Sequence, residues 1–182
     1  MRKLGGLIIG VLIFGAAVCQ GQTLRKAEDY YQRGVERSKE GDIEGAIADF
    51  SKAIEIFPKY SSAYSGRARA KKSKGDMEGA IADLTRAIEL SPEIGLPYYN
   101  RGFIYLEGEN FDEAVKDFDK AIELQPNLAD AYNNRGDAQR GRGKNAEAVA
   151  DYTKAIGIKP DFTEAYYNRA VLRATLEDAE GA

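Results

Sequence analysis

The sequence predicts an all-α fold in which helix pairs joined by tight turns repeat and stack. Three observations predict it. Tyr30, Tyr64, Tyr98, Tyr132 and Tyr166 stand on a 34-residue ruler, and a fixed period of this length marks a repeat architecture. Between them, "EGAIADFSKAIEIFP", "EGAIADLTRAIELSP", "DEAVKDFDKAIELQP" and "AEAVADYTKAIGIKP" place apolar residues at three- and four-residue steps, the pattern of an amphipathic helix. Each run stops at Pro58, Pro92, Pro126 or Pro160, because proline cannot continue a helix.

The N-terminus reads as a separate device. Arg2 and Lys3 precede an apolar run from Leu7 to Val18, followed by small and polar residues. This is the layout of a secretory signal peptide over 1–21. The apolar run is shorter than the ~20 residues of a usual spanning helix, and an uncleaved anchor is the alternative. "AAVC" resembles a lipobox weakly, since Val18 stands where a small residue is usual, so Cys19 is a candidate for lipidation. A short linker, 22–26, leads into the repeats, and the expected location is exported: periplasmic, envelope-associated or secreted.

The repeats follow as 27–60, 61–94, 95–128, 129–162 and a partial one, 163–182. In each, "YYNRG"-like segments open helix A. The turn is "EGD", "KGD" or "EGEN" (40–42, 74–76, 107–110), rich in turn formers. Helix B then runs to the proline. Asn110 with Glu113 three residues on is expected to form a capping box. Ala46, Ala80, Ala114, Ala148 and Ala182 keep the step, as do Ala53, Ala87, Ala121 and Ala155. The ending "EDAEGA" copies the opening of helix B, "GDIEGA" at 41–46. A fragment of a longer chain is one reading of this, and pairing of the last helix A with another chain is a second.

These series resemble the tetratricopeptide repeat (TPR) family over everything after the leader. The family's early helix A aromatic is matched by the tyrosine series. Its small residue is matched by Gly34, Ala68, Gly102, Gly136 and Ala170. Its helix B aromatic is matched by Phe50, Phe118 and Tyr152, with Leu84 departing. The resemblance implies a right-handed superhelical solenoid, since one repeat cannot bury its apolar face alone. It also implies a concave groove, lined by the A helices, that holds partner segments. The matching groove positions are Tyr31, Val35, Ser65, Arg69, Tyr99, Asn100, Phe103, Asn133, Asn134, Asp137, Tyr167, Asn168 and Val171. Tyr99 and Phe103 suit apolar anchoring, with packing against a neighbouring helix as the alternative. The asparagines carry donors and acceptors suited to peptide backbone, with a solvated face as the alternative. The TPR subclass that clamps C-terminal carboxylates uses lysine and arginine where this chain has Ser65, Tyr99, Asp130 and Glu164, so that ligand is not expected.

Arg33, Arg67, Arg101, Arg135 and Arg169 also keep the step, where most of the family carries leucine. Asp49, Asp83, Asp117 and Asp151 recur just before the helix B aromatic. One cation per helix A and one anion per helix B predict interhelix pairs Arg33–Asp49, Arg67–Asp83, Arg101–Asp117 and Arg135–Asp151.

Composition narrows the function. Hydrophobic residues make up 43% and charged residues 30%, which suits a folded chain. The net charge of −3 has the wrong sign for phosphate-backbone binding, and the charges of "RARAKKSK" (67–74) fall all round a helix. There is no histidine, the commonest near-neutral acid/base group. One cysteine forms no internal disulfide or thiolate cluster. No nucleophile motif or phosphate-cradling glycine loop is present. The expectation is a non-catalytic interaction scaffold without cofactor or metal, binding a protein or peptide. Self-association, or an activity lying beyond residue 182, are the alternatives.

Overall fold

A computed structural model describes the backbone of residues 5–180 and the side chains of residues 22–176. The side chains of the expected leader, Cys19 among them, and of the "EDAEGA" ending lie outside the described residues. Nine helices, and no strand, occur among the described residues. The A helices are α1 (Gly5–Glu40), α3 (Ser61–Lys74), α5 (Gly95–Glu107), α7 (Ala129–Gly141) and α9 (Thr163–Glu180). The B helices are α2 (Ile43–Ile56), α4 (Met77–Leu90), α6 (Phe111–Leu124) and α8 (Asn145–Ile158). No described helix is long and apolar enough to cross a membrane.

The chain divides into two compact units, one ending at Leu90 and one beginning at Ser91. In the first, α1 pairs with α2, α3 pairs with α4, and α2 packs on α3. In the second, α5 pairs with α6 and α7 with α8, and α6–α7 and α8–α9 pack between pairs. Within each unit every helix thus lies on its chain neighbours, the arrangement that buries apolar stripes too small to be buried singly.

Turn chemistry sets the hairpins. Gly41, Gly75 and Gly143 take left-handed φ values of 84°, 89° and 74° at three of the turns; at the four-residue turn Glu109 does so, at 57°. Asp42 caps α2 by accepting from the Gly45 amide at 3.0 Å, and Asp76 accepts from Gly79 at 2.9 Å. The expected capping box at Asn110 is not formed. Its side-chain amide turns back to donate to the Gly108 carbonyl at 3.1 Å, and caps nothing. The B helices end before their prolines, with Phe57, Gln125 and Lys159 amides closing on Ala53, Ala121 and Ala155 carbonyls at 2.8–2.9 Å. The residue before a proline is pushed out of helical conformation, which fixes the stop.

The core sits between each helix A and its helix B. Phe50, Phe118 and Tyr152 are wholly buried and Leu84 nearly so, among fully buried alanines of both helix B series. Small residues on helix A let these rings in. A methyl on Gly136 would stand 2.6 Å from Tyr152 Cε1, and one on Gly34 2.9 Å from Phe50 Cε1. The tyrosines of the helix A ruler, which the sequence leads one to place in the space between adjacent helices, are buried to different degrees. Tyr132 is buried, Tyr30, Tyr64 and Tyr98 are half-buried, and Tyr166 is exposed. Four of these rings lie under the guanidinium three residues on, Arg33, Arg67, Arg135 and Arg169, at 4.8–5.6 Å from the ring centre, a cation–π arrangement.

Candidate functional site

Helix periodicity puts residues three and four apart on one face, so the expected groove residues form a short row along each helix A. In the first unit that row is closed by packing. The Tyr31 ring lies 5.7 Å from Phe50 and 5.2 Å from Tyr60. Val35 packs on the Ala46, Phe50 and Ala70 cluster. Tyr60 Oη, whose titration burial pushes up, donates to Glu28. Ser65 is half-buried and Arg69 exposed.

In the second unit the row is a connected polar layer across α5, α7 and α9. Asn134 Nδ2 donates to Tyr99 Oη at 3.1 Å, and Asn133 Nδ2 to Asn134 Oδ1 and Glu164 Oε1 at 3.4 Å. Asn168 Nδ2 donates to Asn133 Oδ1 at 3.3 Å and Asp137 Oδ1 at 3.4 Å. Tyr152 Oη donates to the same Asp137 oxygen at 2.8 Å. Burial pushes the Asp137 carboxyl above its ordinary range, with the Tyr152 bond opposing, and pushes the Tyr152 hydroxyl up as well.

Asn133 and Asn134 are therefore neither a solvated face nor free hydrogen-bonding arms. Both are buried and bonded across repeats. Tyr99 and Phe103 stack on one another at 6.5 Å, and Tyr99 sits 6.0 Å from Phe118. Both pack on the Ala114, Val115 and Phe118 cluster, so packing rather than open anchoring describes them. Asn100 is half-buried. What the layer leaves open lies on α9: Tyr167 is 68% exposed and Val171 40%.

The four expected Arg–Asp pairs all meet, each as a two-pronged fork. The Nε to Oδ2 distances are 2.7 Å for Arg33–Asp49, 2.8 Å for Arg67–Asp83, 2.8 Å for Arg101–Asp117 and 2.9 Å for Arg135–Asp151. The second prong runs from Nη2 to Oδ1 in every case. All four aspartates are buried. The Arg33 bond holds Asp49 below the usual carboxylate range against the opposing effect of burial.

Models of the tetratricopeptide repeat match residues 26–60, 61–94, 96–128, 118–150 and 136–176. The chain is a tetratricopeptide repeat protein. An uncharacterised protein of Methanocaldococcus jannaschii is 45% identical over 49 residues, 27% of this chain and 57% of that one; the chain thus matches little more than half the length of that relative. A crystal structure of the MamA protein is 25% identical, with TM-score 0.75, over 81% of this chain and 80% of that chain. The second TPR domain of human RPAP3, solved in complex with an HSP70 peptide, is 28% identical, with TM-score 0.59, over 60% of this chain and 92% of that chain.

One recurring contact of these tetratricopeptide repeats escaped the sequence reading. The remaining guanidinium nitrogen of the helix A arginine reaches helix B of the repeat before it. Arg67 Nη1 donates to Ser51 Oγ at 3.1 Å, Arg135 Nη1 to Asp119 Oδ1 at 2.6 Å and Arg169 Nη1 to Thr153 Oγ1 at 3.1 Å. The signal was present: two residues after each helix B aspartate stands a side chain with an oxygen, Ser51, Thr85, Asp119 or Thr153. Within the basic stretch 67–74, Lys71 pairs with the buried Asp83 at 2.8 Å, while Lys74 pairs with Glu44 at 2.7 Å on the exposed surface. Among the described residues no group of three or more histidine, cysteine or carboxylate side chains is placed to hold a metal ion.

Proposed function

We propose that the chain is a non-catalytic interaction scaffold of the cell envelope that holds peptide segments or partner proteins on the A-helix face of its TPR repeats. The observation that carries it is the layer of the second unit: a bonded asparagine floor beside Tyr167, 68% exposed. A floor fixed by its own hydrogen bonds loses little entropy on binding, and an exposed tyrosine is a favoured hot-spot side chain. The peptide-bound RPAP3 domain supports this reading by its likeness, and Arg2, Lys3 and the apolar run after them support export.

The test is in-cell photocrosslinking from a residue beside the floor, comparing wild type with Tyr167→Ala, which alters an exposed side chain only. Loss of a captured partner in the variant is expected. Identical partner lists would remove this face from the function. Fractionation with and without residues 1–21 tests the envelope location, which a cytosolic full-length chain would overturn. Self-assembly is the second reading, favoured by Tyr166, Tyr167 and Val171 lying exposed together on α9. A mass that grows with concentration in light scattering, and falls back in Tyr167→Ala, would select it.

A further inference from the structure

The first three B helices each pair a cation with a glutamate three residues on. The distances are 2.9 Å for Lys52–Glu55, 2.7 Å for Arg86–Glu89 and 2.7 Å for Lys120–Glu123. In α8 the cation is kept as Lys154, but Gly157 replaces the glutamate. Neither packing nor backbone requires that glycine. A Cβ there would meet no atom within 4 Å, and its φ is not among the positive ones. Its effect is electrostatic: Lys154 has no carboxylate or hydrogen-bond partner among the described residues.

Beside this lysine the B-helix side of the second unit has an open groove of about 790 Å³, lined by Asn127, Ala150, Thr153, Lys154, Gly157 and Ile158. Arg169, bonded to Thr153 Oγ1 at 3.1 Å, brings a second cation to its edge. Lys154 supplies an ammonium and Asn127 an amide, while Ala150 and Ile158 supply apolar contact. We infer that this groove is a second binding surface, distinct from the A-helix face, that takes a glutamate or aspartate side chain from an extended segment of a partner protein. The other three repeats show the chemistry within the chain, a glutamate carboxylate seated on the same helix position. Lys154 is the one cation among the lining residues, and the net charge of −3 opposes a polyanion.

The test is an amide NMR titration of the full ¹⁵N-labelled chain with acetyl-Leu-Glu-Leu-amide, beside acetyl-Leu-Gln-Leu-amide and inorganic phosphate. Shifts centred on Asn127, Lys154 and Gly157 are expected, with the glutamine peptide binding at least tenfold more weakly. Gly157→Glu restores the repeat's own pair, so it should abolish binding while keeping or raising the unfolding midpoint. Lys154→Met should weaken binding at least tenfold. No shift at these amides with the glutamate peptide would overturn the proposal. So would undiminished binding by Gly157→Glu, or phosphate moving the same amides as strongly. Tyr167→Ala leaves this titration unchanged, so its outcome is separate from that of the A-helix face.

Discussion

Arg135 grips Asp151 through two nitrogens and with its third reaches Asp119 of the preceding repeat, at 2.6 Å. Its pair is four-fifths buried on the arginine side and nine-tenths on the aspartate side. Burial alone would lower the guanidinium's proton affinity, but Asp151 and Asp119 together raise it above the ordinary value. Arg135→Ala strands a buried carboxylate and is expected to cost about 3–5 kcal/mol, the range for breaking one side of a buried pair. Urea unfolding checks this. A double-mutant cycle with Asp151→Ala should give strongly non-additive losses, and additive losses would refute the pairing.

The same substitution one unit earlier is expected to matter less. Asp49 keeps Arg37 at 2.9 Å when Arg33 is removed, and Arg33 is more than half exposed. Arg33→Ala should therefore lower the urea midpoint clearly less than Arg135→Ala, because an exposed ion pair contributes little to stability.

Acid sensitivity follows from Asp49. Its carboxyl is held below the usual range by Arg33, so the unfolded chain binds the proton more readily than the folded one. Its contribution is complete above the ordinary aspartate value and is lost as pH falls through the lower folded value. Asp49→Asn should flatten that acid limb in denaturant midpoints measured against pH.

Asp137 acts in the opposite sense. Burial raises its pKa in the fold, so stability falls as pH rises through the interval between the unfolded and folded values. Asp137→Asn retains an oxygen for Tyr152 and Asn168. It should raise the unfolding midpoint at neutral pH and leave it unchanged well below the ordinary carboxylate range.

Close approach supplies a steric prediction. A methyl on Gly136 would stand 2.6 Å from the wholly buried Tyr152 ring, which has no room to retreat. Gly136→Ala should cost about 1–3 kcal/mol, as overpacking does. Phe50→Ala should cost about 3–5 kcal/mol, as loss of a large buried ring does. Thermal unfolding distinguishes both from silent surface changes.

The 34-residue ruler made the helix pairs, their proline stops and the Arg–Asp forks legible, because a repeat preserves every contact made inside itself. It was a poorer guide to contacts between repeats. Asn134 meets Tyr99 across 35 residues and Asn168 meets Asp137 across 31, so the partners hold different positions in their repeats and share no series. A small amide beside an arginine looks the same in sequence whether it faces solvent or the next helix. The rings under Arg33, Arg67, Arg135 and Arg169 were hidden differently: the tyrosine series reads as core filling, because an aromatic place looks the same in sequence whether its ring fills the core or covers a charge.

The third prong of the arginine has a consequence for cooperativity. In an array where each repeat touches only its neighbours, unfolding spreads or stops according to the coupling at each seam. The α6–α7 seam carries a charged link, Arg135 to the exposed Asp119, whereas those at α2–α3 and α8–α9 use the neutral hydroxyls of Ser51 and Thr153. Salt screens the first and spares the others. Raising ionic strength should selectively weaken the α6–α7 link, letting the pairs it joins open more independently in hydrogen exchange.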